Sequence, residues 1–258
     1  MHSVKYDIVG VEMKIHFLGI GGWVSNPAFG QSAILIEEDN TKLLLDAGEG
    51  TYERLITCCR KSPCNLDYIV LTHRHGDHIL GIPTLIQHAK LHGCKLRIIT
   101  SNDVIKAVEL LLESVGIRQY LTYIEFTEIS GGAEIKLHND LGIQAVRAVH
   151  PLPALSYIIK IGGKVIAYSG DTSPNSEFIS AAKHADVLIH EVSGPDELRD
   201  TLNLLGHTSS ADIASILEEV MPKYFIPVHY PLEAVYVHTL PSKVKLVMPV
   251  PCSAITIP

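Results

Sequence analysis

The residues best suited to chemistry are the seven from 72 to 78, Thr-His-Arg-His-Gly-Asp-His, which hold three imidazoles and one carboxylate. Neutral imidazole nitrogens and ionised carboxylate oxygens are zinc ligands. Because side chains alternate along an extended backbone, the first two histidines point to the same side. Gly76 permits a tight turn that brings the later two groups back toward them. The stretch therefore predicts a metal-binding loop rather than a solvated polar loop. Its candidate ligands are His73, His75, Asp77 and His78.

Further acidic and imidazole residues stand directly after apolar strand patterns elsewhere in the chain. Ligands at the ends of separate strands are how an α/β sheet presents a site along one edge. One such histidine is more often a surface residue, but together with the four residues of the loop the set can supply seven ligands, which suits two zinc ions sharing a carboxylate and a hydroxide. The strand-end candidates are His150, Asp171, the pair His190 and Glu191, and His229.

The elements that must position these side chains follow a strand-then-helix rhythm that occurs twice, with a hairpin-rich middle. This pattern predicts an α/β fold in which two sheets pack together with helices outside, a four-layer arrangement. Strands are expected over residues 14–19, 32–37, 42–45, 66–71, 95–100, 121–126, 133–137, 143–149, 155–161, 164–168, 186–190 and 224–228. Helices are expected over 51–59, 79–92, 102–115, 176–184 and 209–221, with strand and turn in the tail.

Length and composition indicate a well-packed globular protein. The chain has 258 residues, of which 47% are hydrophobic and 19% charged. We interpret residues 1–258 as one domain, with residues 1–12 as an N-terminal extension. The chain lacks an apolar run of about eighteen residues, so no membrane span is expected, and no signal peptide is recognised. A net charge of −7 argues against a broad nucleic-acid surface.

The cysteines give no sign of a disulfide framework or of a cysteine-based zinc site. Their number, five, is odd, and no CxxC pair occurs. We therefore expect buried, unreactive thiols in a reducing cytoplasm. The residues are Cys58, Cys59, Cys64, Cys94 and Cys252.

The candidate ligands, in their order along the chain, resemble the ligand set of the metallo-β-lactamase superfamily. The resemblance rests on HRHGDH, His150, the YSGDT stretch around Asp171 and the final His229, and it covers the chain from about residue 13. It implies the αββα sandwich, in which helices flank two mixed β-sheets. It also implies two zinc ions per chain, although manganese or iron could occupy such a site. The implied ligands are His73, His75 and His150 for one ion and Asp77, His78 and His229 for the other, with Asp171 bridging.

Within the superfamily, two residues argue against particular branches. True β-lactamases use a cysteine ligand where this chain has Asp171. The flavodiiron oxidoreductases replace the second histidine of the opening motif with an acid, whereas this chain has His75.

Three stretches are similar to motifs of the ribonuclease Z branch and its phosphodiesterase relatives. Residues 45–51, LDAGEGT, resemble that branch's DCGEGT, and His190-Glu191 resembles the start of its HEAT motif. Residues 206–209, GHTS, resemble its His-Ser-Thr motif with the last two residues exchanged. The resemblance implies that His207, partnered by Glu191, acts beside the zinc pair as a general acid, whereas His190 is structural. The alternative for His207 is a neighbour of a helix cap formed by Thr208 and Ser209.

The sequence also departs from ribonuclease Z. That family inserts its long tRNA-clamping arm between the positions matching His150 and Asp171, where this chain has only residues 151–170. The early loop, residues 26–32, lacks the family's basic side chains, and no basic run is present to follow a tRNA backbone.

These observations favour a dinuclear zinc-dependent hydrolase in which a metal-bridging hydroxide attacks a phosphodiester, with Asp77 both binding zinc and orienting the hydroxide. A small or cyclic phosphodiester and an RNA 3′ end are both plausible substrates. Three alternatives stay open: a hydrolase of thioesters or lactones, a tRNA 3′-end endonuclease working without the arm, and a non-catalytic zinc-binding protein. Homodimerisation is an expectation from the resemblance alone.

Overall fold

A computed structural model describes residues 12–138, 140–231, 237 and 239–258. Within these residues the chain forms two mixed β-sheets of seven strands each. All but the last residue of the expected N-terminal extension lies outside the described residues. The fold class predicted from the sequence, a sandwich of two sheets flanked by helices, is confirmed.

The first sheet is antiparallel on one side and parallel on the other. From β14 through β1 and β2 to β3 the pairs are antiparallel, and from β3 to β6 they are parallel. In spatial order the strands are β14 (Ser253–Ile257), β1 (Met13–Gly19), β2 (Ala33–Glu38), β3 (Thr41–Leu45), β4 (Tyr68–Val70), β5 (Leu96–Thr100) and β6 (Ile124–Glu128).

The second sheet repeats this division. From β7 to β10 the pairs are antiparallel, and from β10 to β13 they are parallel. The strands are β7 (Glu134–Lys136), β8 (Gly142–Arg147), β9 (Leu155–Ile161), β10 (Lys164–Tyr168), β11 (Val187–Glu191), β12 (Tyr224–Val228) and β13 (Lys245–Leu246).

Seven α-helices connect the strands of the described residues. They are α1 (Thr51–Thr57), α2 (Gly76–Ile79), α3 (Ile82–His92), α4 (Asn102–Ser114), α5 (Ser176–Ala181), α6 (Arg199–Leu204) and α7 (Ser210–Val220). Short 3-10 turns lie at Pro63–Asn65, Arg118–Tyr123 and Asp196–Leu198. No helix in the described ranges combines the length and the apolar character that crossing a bilayer requires.

The alternation of side chains along the strands builds two apolar layers. Ile36 of β2 belongs to the buried cluster that also contains Tyr157 and Ile166 of the second sheet. Its neighbour Leu35 points the other way, into a cluster that includes Leu85 of α3 and residues of α4. Because successive residues of a strand face opposite sides, one apolar run supplies both layers.

The boundaries differ from the sequence-based expectations in three places. The helix expected over 79–92 is two helices, α2 and α3, because Gly81 lies against the Gly48 and Ala47 carbonyls between them. Residues 121–123, the first half of the strand expected over 121–126, instead end a 3-10 turn, Arg118–Tyr123, that precedes β6. The loop expected before residue 209 contains α6.

The expectation of unpaired thiols is wrong. The structure joins Cys58 to Cys252 and Cys64 to Cys94, with Cα–Cα distances of 5.0 and 5.8 Å, and leaves Cys59 free. Cys58 follows α1, and Cys252 precedes β14, which pairs with β1. Partners 194 residues apart meet through this sheet pairing, so cysteine count and spacing carried no signal for the bond.

Tyr157 links the two sheets next to the histidine-rich loop. Its fully buried hydroxyl donates a hydrogen bond of 2.8 Å to the Leu71 carbonyl, which also accepts from Thr100 Oγ1 at 2.8 Å. Tyr157→Phe should lower the free energy of unfolding by about 1 kcal/mol, since one net hydrogen bond is lost and the carbonyl keeps a partner. Urea denaturation of the metal-loaded protein measures this.

Tyr230→Phe is the matched control. The Tyr230 hydroxyl is buried and has no hydrogen-bond partner within the described residues. Its removal should leave the free energy of unfolding unchanged or slightly higher. Equal losses in the two variants would contradict the role given to the Tyr157 hydrogen bond.

Candidate metal centre

The candidate ligands lie at the carboxyl ends of strands in both sheets. In the first sheet, the loop of residues 72–78 follows β4. In the second, β8 and β10 both run antiparallel to β9, and β10 to β12 are parallel, so the four strands end at one edge. His150 follows β8, Asp171 follows β10, Glu191 ends β11 and His229 follows β12. Packing of the two sheets brings the candidate ligands of the first sheet next to those of the second.

The first group of potential ligands combines three histidines and a carboxylate. One ligand atom from each lies within 4.8 Å of all the others. His73 Nε2 is 3.0 Å from His75 Nδ1 and 3.7 Å from Asp171 Oδ2. The group is His73, His75, His150 and Asp171.

The second group contains two histidines and two carboxylates, all buried, and it also includes Asp171. His229 Nε2 is 3.2 Å from both Asp77 Oδ2 and Asp171 Oδ2. His78 Nε2 is 3.4 Å from Asp77 Oδ2 and 3.3 Å from Asp171 Oδ1. The Asp171 carboxylate therefore lies between the two groups, and each of its oxygens is close to a histidine of the second.

Two buried polar atoms at this point have no hydrogen-bond partner in the described part of the chain. They are His78 Nε2 and Asp171 Oδ1. Buried polar groups are normally satisfied, so an unpartnered pair among imidazoles and carboxylates needs an explanation. A nitrogen and oxygen donor set of this kind fits a divalent metal ion.

The charges of the two groups differ. Burial is the largest cause that lowers the pKa values of His73, His75 and His150, which keeps these rings neutral and able to bind a metal. Burial also opposes charge on His229, but Asp171 and Asp77 outweigh it and raise its pKa to about 10. A metal ion would replace the proton on that ring, because ligand nitrogens must be deprotonated.

The two aspartates are held in their ionised form. Burial raises the pKa of a carboxyl group, yet the pKa of Asp77 stays below its usual range because His78 and His229 are close. The same two histidines hold the pKa of Asp171 well below its usual range. Ionised carboxylates in a buried site favour a cation between them.

Asp46 anchors the histidine-rich loop from beneath. Its fully buried carboxylate accepts hydrogen bonds from the Thr72 amide at 2.8 Å and from the Tyr168 hydroxyl at 2.7 Å. His78 Nδ1 lies 2.8 Å from Asp46 Oδ2. With Nδ1–H donating to Asp46, the Nε2 atom of His78 is left with its lone pair toward Asp77 and Asp171. Sequence reasoning gave Asp46 no role, although its place in the LDAGEGT stretch was the available signal.

His207 and Glu191 form a pair beside the two groups. His207 Nδ1 is 3.1 Å from Glu191 Oε2 and 4.0 Å from Asp171 Oδ2. Burial lowers the pKa of His207, but the hydrogen bond and charge of Glu191 outweigh it, so the pKa is raised. The fully buried Glu191 also accepts hydrogen bonds from the amides of Thr172 and Thr208, which fix its position. The structure thus brings together the two residues that the sequence paired.

Ser193 connects this pair to the second group, and sequence reasoning missed it. Its hydroxyl donates to Glu191 Oε2 and lies 2.9 Å from His229 Nδ1. Ser193 follows β11 and His229 follows β12, so the contact between them depends on the pairing of these two strands. His190, on β11, is not a member of these groups of potential ligands, and its ring lies against that of Phe178.

A family model described as "Beta-lactamase superfamily domain" matches residues 41–230. Among curated relatives, the chain is 24% identical over 266 residues to a ribonuclease Z of Archaeoglobus fulgidus, covering 84% of this chain and 86% of that protein. It is 29% identical over 248 residues to a ribonuclease Z of Pyrobaculum calidifontis, with the same coverage.

Solved structures share the fold. The metallo-β-lactamase fold protein YhfI from Bacillus subtilis has a TM-score of 0.82 at 21% identity, covering 95% of this chain and 99% of that one. The short form of human tRNase Z has a TM-score of 0.79 at 21% identity, with the same coverage.

Asp46→Asn tests the support beneath the loop. Losing the charge that holds His78 should lower metal affinity about 10- to 100-fold, the usual effect of removing the partner of a ligating histidine. Titration against a competing chelator measures this. Asp67→Asn is the control, because Asp67 also accepts from a backbone amide, that of Lys42, but away from the ligand groups. Equal affinities in all three proteins would remove Asp46 from the metal site.

Proposed function

Because this chain belongs to the β-lactamase superfamily, we propose that it is a dinuclear zinc-dependent phosphodiesterase resembling ribonuclease Z. That the chain is a metal-dependent hydrolase follows from its family and relatives. The proposal adds the number and identity of the ions, the residues that hold them and the class of substrate.

The observation that carries the proposal is the position of Asp171, whose carboxylate belongs to both ligand groups. A carboxylate shared in this way suits a pair of metal ions. We assign one ion to His73, His75 and His150, the other to Asp77, His78 and His229, and the bridge to Asp171.

Two zinc ions held there would supply a strong nucleophile from water at neutral pH and would neutralise charge on a phosphate oxygen. The side chains divide the remaining work. Asp77, ionised and 3.2 Å from His229, is placed to orient the attacking water as well as to bind metal. The carboxylates of Asp77 and Asp171 compensate the charge of the ions.

His207 is the proposed general acid. The raised pKa favours the protonated ring, and Glu191 holds Nδ1–H. Nε2–H is then free to give its proton to the leaving oxygen of a phosphodiester. An alkoxide leaving group needs this proton, whereas the thiolate of a thioester can leave without it, so the pair favours phosphodiesters over thioesters.

The structure limits how a large RNA could be held. Residues 151–170, the stretch where the resemblance to ribonuclease Z would place a tRNA-clamping arm, hold β9, a two-glycine turn and β10. We therefore propose a small or cyclic phosphodiester or a short RNA 3′ end as substrate.

Incubating the zinc-loaded protein with pre-tRNA bearing a 3′ trailer, cyclic nucleotides, bis(p-nitrophenyl) phosphate and a panel of thioesters and lactones separates these classes. Light scattering would test the homodimer expected from the family.

Asp171→Ala should release at least one of the two metal ions, because both ligand groups lose a carboxylate. Elemental analysis of the purified variant measures the stoichiometry. Asp186→Ala is a matched control, since Asp186 is an ionised aspartate paired with Lys223 far from the ligands. Two equivalents of metal retained by the Asp171 variant would defeat the bridging assignment.

His207→Ala should keep its metal and lower the rate on a substrate with a poor leaving group by ~10²–10⁴-fold, the range for a lost general acid. The loss should shrink for bis(p-nitrophenyl) phosphate, whose leaving group needs no proton. His92→Ala, which removes an exposed histidine at the end of α3, is the control. Loss of metal from the His207 variant would make His207 a ligand instead, and an unchanged rate would exclude it from the mechanism.

A further inference from the structure

The loop that follows β1 runs directly over one of the proposed metal ligands. A Cβ atom added at Gly22 would lie 2.8 Å from Cε1 of His229, so the backbone at residue 22 touches the imidazole ring. The Gly22 amide donates to the Tyr230 carbonyl at 3.1 Å, which fixes the loop against the strand that carries the ligand. The next residue, Trp23, is therefore held within one residue of the candidate site.

The backbone of Trp23 is fixed while its side chain is free. Its carbonyl accepts a hydrogen bond of 3.2 Å from Gln31 Nε2, and the Oε1 atom of the same amide accepts from the Glu49 amide at 2.8 Å. The side chain is 81% exposed. Tryptophan is highly buried on average, so an indole with this exposure is uncommon in a folded protein.

Other exposed apolar side chains stand beside the ligands. Leu80 follows His78 and lies over Gly76, and Val149 directly precedes His150. Leu204 and Leu205 precede Gly206, where an added Cβ would lie 2.9 Å from the Cα of His150. The apolar rim, defined as Trp23, Val24, Leu80, Val149, Leu204 and Leu205, thus flanks the ligands on several loops.

Three of the arginines near this rim are already engaged. Arg74 pairs with Asp103 at 2.9 Å, and Arg199 pairs with Asp212 at 2.7 Å. Arg54 donates to the carbonyls of Leu18, Phe29 and Pro27 beneath the early loop. A substrate recognised here gains more from apolar contact than from neutralisation of a long phosphate backbone.

We propose that Trp23 is a specificity-determining residue that stacks on an aromatic ring attached to the phosphodiester substrate, a nucleobase being the natural case. This inference rests on the proposed function and deepens it. Stacking of a base on an aromatic side chain is worth about 1–3 kcal/mol and tolerates any base. It would replace the basic side chains that this loop lacks, and it favours a short substrate with a ring next to the scissile bond.

Trp23 is the single tryptophan of the chain, so its fluorescence reports on the site directly. Metal-loaded protein is titrated with adenosine 5′-monophosphate and with ribose 5-phosphate, which share the phosphate and sugar but differ in the base. Phenyl phosphate and methyl phosphate form a second pair. We expect the emission to change with the aromatic member of at least one pair and not with its aliphatic partner. A response to the nucleotide alone identifies a nucleobase, and a response to both aromatic ligands identifies any aryl ring.

Kinetics provide the second measurement. Trp23→Ala should raise KM for bis(p-nitrophenyl) phosphate by about 5- to 150-fold, the equivalent of the stacking energy, with little change in kcat. Trp23→Phe should restore most of the affinity because it keeps a ring. Leu91→Ala, at an exposed leucine on the last turn of α3, is the control for loss of apolar surface.

Some results would overturn the inference. Identical responses within each pair, or equal KM values for wild type and both Trp23 variants, would remove Trp23 from substrate recognition. If the Trp23 emission changes on dilution of the protein but not with any of the four ligands, the apolar rim contacts a second copy of the chain instead of the substrate. The titration needs no turnover. A protein that binds aromatic ligands but is inactive would therefore contradict only the proposed function. Turnover that is unaffected by substitution of Trp23 would contradict only this inference.

Discussion

Burial of carboxylates is the constraint on which the centre of this structure depends. An ionised carboxylate in an apolar interior is costly unless hydrogen bonds or opposite charges meet its oxygens. Here four carboxyl groups lie at one edge of the sandwich, all at most 4% exposed. Amides, hydroxyls and imidazoles meet most of their oxygens, and the exception, Asp171 Oδ1, lies where both ligand groups converge. The four residues are Asp46, Asp77, Asp171 and Glu191.

The sandwich satisfies this constraint through its strands. Apolar residues along β3, β4, β10, β11 and β12 pack between and behind the sheets, and the polar residues come only where the strands end. The apolar layers therefore hold the polar groups in place at the ends of the strands. Support also passes between the sheets, since Tyr168 of the second donates to Asp46 of the first. A change in the packing of the two sheets would therefore alter the positions of the ligand side chains.

The sequence predicted the parts of the structure that depend on local order. Alternation and apolar runs gave most strands, and the density of histidine after β4 identified the loop of residues 72–78. The pairing of His207 with Glu191 came from resemblance, and the geometry agrees with it. Contacts between distant segments left no pattern to recognise. The support of His78 by Asp46, the bridge made by Ser193 and the bond from Cys58 to Cys252 arise from sheet pairing, which the linear sequence does not display.

The order of the ligands along the chain has a consequence for how the protein is made. The first group is complete once Asp171 has left the ribosome, whereas the second waits for His229, close to the C-terminus. The edge of β1 stays unpaired longer still, because its partner β14 follows His229 in the chain. One half of the centre can therefore assemble on a nascent chain whose first sheet is still open.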